Sequence, residues 1–133
     1  MLKAIPPLLV VVHAILLAWA AIGMAEWLLP AVPWPLVSNP AFPPWLLLVH
    51  WLAVFTGAIA FLGGYIARWR ATPAAVALAY AFMAVVCVIE TFWFLTGVGR
   101  FVAMALEFAT YIGIVVLLRR LPSFVNRFSG RRG

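Results

Sequence analysis

The chain has 133 residues, of which 68% are apolar and only 9% charged, against roughly one quarter charged in a soluble domain. So few polar groups cannot build a water-facing surface, and lipid is the expected solvent. The formal charge of +6 does not point to nucleic acid, because Lys and Arg gather at the ends of apolar runs rather than in a patch interleaved with polar residues.

Lys3 precedes an apolar run with Ala18, Ala20 and Ala21 near its end, which has the outline of a secretory signal. The run covers residues 5–29, longer than an h-region of roughly 7–15 residues, and is read as a retained helix. Further apolar stretches follow at 45–67, 73–96 and 101–118, each near the roughly 20 residues that a bilayer core requires. Backbone amides in hydrocarbon must pair within a segment or a closed barrel, and four strands do not close one, so all four stretches are expected to be helices. Pro6, Pro7 and Pro73 suit opening turns, where a missing N–H costs nothing.

Residues 30–44 are rich in proline and carry Trp34 and Phe42, with Trp27 and Trp45 at either side. Such a segment cannot be helix throughout, and its indoles favour the headgroup layer. It is expected to lie along the outer membrane surface as a lid. The connections at 68–72 and 97–100 are short enough to force antiparallel neighbours.

On that alternation Lys3, Arg68, Arg70, Arg119, Arg120, Arg127, Arg131 and Arg132 fall on one side of the membrane and Arg100 alone on the other. The positive-inside rule then sets both termini in the cytoplasm. The expected fold is an all-α integral membrane four-helix bundle, up-down and antiparallel, N-in/C-in, with a Pro/Trp-rich outer interfacial segment between helices 1 and 2. Residues 1–120 form the transmembrane domain and 121–133 a basic cytoplasmic tail that faces lipid, whose anionic headgroups attract basic residues. A bacterial inner membrane is the expected location.

The acidic residues are Glu26, Glu90 and Glu107, and each lies within an apolar stretch. A carboxylate at membrane depth costs at least a few kcal/mol, so such groups turn toward the bundle interior and mark candidate sites. At about 1.5 Å per residue, Glu26 lies about 5 Å below the outer end of its span, His50 about 8 Å, and Glu90 and Glu107 about 9 Å each. Every helix thus offers one ionisable group to one layer. The helical period places Met83, Cys87 and Trp93 on the face of Glu90, and Arg100, Met104, Thr110 and Tyr111 on that of Glu107. Arg100 is long enough to reach either glutamate.

The same groups can instead tie helices together by hydrogen bonds, and Trp93 and Tyr111 taken singly suit packing. Cys87, the single cysteine, excludes an intrachain disulfide and suits a small core position. His13 and His50 differ by about 10 Å in depth, too far for one haem iron. No spacing typical of metal ligands supports a metal, and no cofactor is expected.

The stretch Pro43-Pro44-Trp45, then a span, then Trp69-Arg70-Ala71-Thr72-Pro73-Ala74 resembles the second-to-third helix passage of the EXPERA superfamily of sterol isomerases and ligand-binding relatives. Glu90-Thr91 is similar to a glutamate–threonine pair found there. The resemblance implies acid and base roles for Glu90, Glu107 and His50 in an intramembrane cavity. Gly57, Gly63-Gly64, Arg68 and the alanines of the third span are similar to a passage of DoxX-like four-helix proteins, some of which accompany redox enzymes.

The functional expectation is a lipophilic or small cationic molecule held in an intramembrane pocket. Its catalytic candidates are Glu90, Glu107 and His50, and its ligand-binding candidates are Glu26, Trp93, Arg100 and Tyr111. Membrane lipids are the other expected partners. The alternatives are a non-enzymatic subunit of a larger membrane complex, a homo-oligomer, or a proton-coupled small transporter.

Overall fold

The computed structural model describes residues 4–29 and 37–129. Helix α1 spans Ile5–Leu28, α2 Pro44–Ala67, α3 Thr72–Ile89, α4 Gly99–Arg120 and α5 Pro122–Phe128, and a π turn at Glu90–Phe94 extends α3. Among the described residues four helices, the third counted through its π turn, are long and apolar enough to cross a membrane. The chain is therefore an integral membrane protein built on four helices. A proline occupies one of the first two positions of α1, α2, α3 and α5, where its fixed φ suits the helix and no hydrogen bond is lost.

Each long helix packs on the next in chain order. The closest approaches are made where a side chain is missing. A Cβ at Gly23 of α1 would stand 2.1 Å from the indole of Trp51 on α2. One at Gly64 of α2 would stand 2.2 Å from the Thr72 hydroxyl that opens α3. Between these two helices Arg68, at φ 54°, turns the chain through the left-handed region.

Two apolar clusters hold the bundle. One joins Leu9 of α1, Phe61 of α2, Val76 and Tyr80 of α3, Ile114 and Leu118 of α4, and Phe124 and Phe128 of α5. The other joins Phe42, Leu46, Ala53 and Val86. The segment after residue 120, expected as a lipid-facing tail, places Phe124 and Phe128 in the core instead. Pro122 restarts a helix there, and the two rings, four residues apart, reach the same face and stack with centroids 6.1 Å apart. Arg127 fixes that helix to α2: its Nε–H donates to the Tyr65 carbonyl at 2.8 Å, and its guanidinium lies 3.7 Å from the Tyr65 ring centroid. Lys3, Arg131 and Arg132 lie outside the described residues.

His13 is wholly buried beside the first cluster. Its Nδ1–H donates to the Leu9 carbonyl at 2.7 Å, so Nε2 accepts the Tyr80 hydroxyl at 2.6 Å; its ring stacks on Phe61 at 4.0 Å. Both ring nitrogens are thus engaged in joining α1 to α3. Tyr80→Phe would leave a buried nitrogen unpaired and is expected to cost about 1–2 kcal/mol. The readout is the thermal midpoint of the detergent-solubilised protein, and an unchanged midpoint would contradict this.

The segment expected as a lid is described from residue 37 onward; residues 30–36, Trp34 among them, lie outside the described residues. Residues 37–43 form bends and turns up to Pro44. Trp27 Nε1–H donates to the Pro44 carbonyl at 2.9 Å, bringing the end of α1 beside the start of α2.

Candidate functional site

The π turn decides where the third span ends its polar face. The Leu95 N–H reaches the Glu90 carbonyl at 2.8 Å, five residues back, so one extra residue is accommodated in the turn and the side chains beyond it rotate off the α-helical stripe. Glu90 and Thr91 are buried, whereas Trp93 is 71% exposed. Trp93, expected on the face of Glu90 at α-helical spacing, therefore points out of the bundle, while Met83 and Cys87, on the α-helical part, keep that face.

Opposite Glu90, α2 presents His50. The imidazole Nδ1–H donates to Glu90 Oε1 at 2.6 Å, with the His50 side chain 30% and that of Glu90 10% exposed. Trp51 meets the His50 ring edge-on, centroids 4.6 Å apart, which limits the imidazole's rotation. On α4 the Tyr111 hydroxyl donates to Glu107 Oε2 at 3.0 Å, one turn away. The Cys87 Sγ lies 4.0 Å from the Thr91 hydroxyl and lines the same cavity as Glu107.

His50, Cys87, Glu90, Glu107 and Tyr111, with Met83 and three small apolar neighbours, line one cavity of about 30 Å3. That is room for a small polar group, since a water molecule needs only about 10–15 Å3 on the same measure. Three of the four helices thus bring an ionisable group to one place. The cavity is not sealed: Glu107 is exposed on α4, and Ile114 and Leu118 are the buried residues of that helix. No match to a family model, a curated protein or a solved structure is found for the chain.

Glu26, Trp93 and Arg100 do not line this cavity. The Glu26 carboxylate accepts the backbone N–H groups of Val37 and Ser38, each at 3.0 Å, and the Ser38 hydroxyl accepts Trp51 Nε1–H at 3.2 Å. A carboxylate close to the end of a span meets unpaired backbone donors of the connection first, which is why Glu26 holds the loop. Arg100 turns toward the end of the π turn, where Nη1 donates to the Leu95 carbonyl, and its guanidinium sits 4.7 Å from the Phe101 ring centroid. A carbonyl freed at a helix end competes for the nearest cation, and Leu95 is nearer in the chain than either glutamate.

Among the described residues no three His, Cys, Asp or Glu side chains converge as ligands of one metal ion. What the arrangement offers is a donor–acceptor pair, His50–Glu90, and a second carboxyl group across a space of molecular size. Such a set can hold one small polar group and exchange a proton with it.

Proposed function

We propose that the chain is a ligand-binding protein of the bacterial inner membrane, with its helices running up-down and both termini in the cytoplasm. A lipophilic or small cationic molecule sits between α2, α3 and α4 against His50, Glu90, Glu107 and Tyr111. The observation that carries this reading is the convergence of a histidine and two glutamates from three different helices on one cavity. Groups that merely tied helices would need only pairs. Proton transfer by Glu90 and Glu107 beside His50 is the isomerase-like form of the proposal, and it follows the EXPERA resemblance.

The test joins native mass spectrometry of gently extracted protein with Glu90→Gln and Glu107→Gln. A retained lipophilic molecule, lost from either variant while the fold persists, is the expected result. If both variants keep the bound molecule, whatever happens to thermal stability, the carboxyl groups are helix ties and the reading falls.

A second reading, a subunit of a larger assembly or of a homo-oligomer, draws on α4. An exposed carboxyl group on a span is costly against lipid, and α4 buries few of its side chains in this chain. Stoichiometric co-purification of another membrane protein, or a mass that is a multiple of the chain's, would favour it.

A further inference from the structure

A second cavity adjoins the polar one. It is a groove of about 330 Å3 between Ala77, Ala81 and Ala84 of α3 and Phe108, Tyr111 and Val115 of α4. Three alanines, each about one turn from the next, leave nothing beyond Cβ to fill the space between the helices, and the groove runs along the seam for about 10 Å. Its size falls within the roughly 300–1,000 Å3 of small-molecule sites. Its polar groups are spoken for: the Tyr80 hydroxyl is bound to His13 and that of Tyr111 to Glu107. The groove therefore accepts hydrocarbon.

Tyr111 belongs to both walls. Its ring lines the groove and its hydroxyl reaches the polar side. At helical spacing, Ala77, Ala81 and Ala84 face one side of the α3–α4 seam while Met83 and Glu90 face the other, with Cys87 close to the boundary. What stands between groove and polar cavity is therefore one aromatic ring, with the small side chains Ala84 and Cys87 beside it.

Resting on the ligand-binding reading above, we propose that the ligand is a single-chain amphiphile with a small hydrogen-bond-donating head, a primary ammonium above all. Its apolar chain lies in the α3–α4 groove, and its head passes Tyr111 into the polar cavity. The head is specified by the hydrogen-bond balance of the polar cavity. Its acceptors outnumber its donors: two carboxyl groups, each able to accept several hydrogen bonds, face one N–H from His50, one O–H from Tyr111 and the weak S–H of Cys87. A trimethylated nitrogen has no N–H to offer them. An ammonium brings three donors and the charge that a pair of carboxyl groups favours. A lipid acyl chain would fit the groove but would bring nothing to the glutamates.

The test uses the full chain in nanodiscs of zwitterionic lipid and follows binding of dodecylamine, butylamine and dodecyltrimethylammonium by native mass spectrometry. Dodecylamine is expected to bind one to one, with the other two at least about tenfold weaker. Ala81 is exposed in the groove, so Ala81→Leu fills it without crowding the core. Ala81→Leu and Glu107→Gln should each weaken dodecylamine by about tenfold. Equal binding of the amine and its trimethyl analogue, unaffected by Glu107→Gln, would identify a groove that takes any alkyl chain and overturn the proposal. Loss of dodecylamine in Glu107→Gln but not in Ala81→Leu would overturn the groove while leaving the polar site as a binding site. Unchanged binding of dodecylamine in Glu90→Gln, Glu107→Gln and Ala81→Leu would overturn both readings.

Discussion

Gly23→Leu is expected to destabilise the protein by about 3 kcal/mol or more, because overpacking at a helix crossing forces either the backbone or a neighbour to move. The neighbour cannot yield cheaply. Trp51 is 4% exposed, and even a bare Cβ at position 23 would approach three of its indole atoms at 2.1–2.5 Å. Displacing that indole would also break its hydrogen bond to Ser38, whose backbone is held by Glu26. The damage therefore spreads from the crossing to the connection between α1 and α2, and to the imidazole of His50 that Trp51 meets edge-on. Reversible unfolding in mixed micelles measures the loss. Trp51→Phe should recover part of it in the double variant, since a smaller ring vacates the space, and strictly additive effects would show that the two residues do not meet.

The helices themselves were legible because hydropathy and length carry most of the information on a membrane span. The stretch 5–29 becomes Ile5–Leu28 and 45–67 becomes Pro44–Ala67, with prolines marking the starts. Depth counting was also informative, because the rise per residue is nearly constant. His50, Glu90 and Glu107, placed at similar depths from residue number alone, line one cavity.

What residue number could not supply was azimuth beyond a break in the α-helical period. Trp93 follows Glu90 by three residues, an α-helical neighbour, yet the π turn between them sends one inward and the other outward. Competition by backbone groups was equally hidden. Glu26 and Arg100 have the charge and reach for the polar layer, but free N–H groups at Val37 and Ser38 and the carbonyl of Leu95 claim them. The His13–Tyr80 bond joins residues 67 apart in sequence. A lone histidine in an apolar run signals only that some partner must exist.

His50→Ala should be the most damaging change at the site, at about 3 kcal/mol or more, because it strips a mostly buried carboxyl group of its donor. Glu90→Gln should cost less than about 1 kcal/mol, since the amide oxygen of glutamine can accept the same His50 N–H. The contrast separates two roles that one pair can combine. If the His50–Glu90 contact exists for its hydrogen bond alone, Glu90→Gln is silent in both stability and ligand retention. If the charge of the carboxyl group matters to a bound molecule, Glu90→Gln keeps the stability and loses the molecule. A small effect of His50→Ala on stability, below about 1 kcal/mol, would show that Glu90 finds another donor, and the 2.6 Å contact would no longer explain how α2 and α3 hold the polar cavity between them.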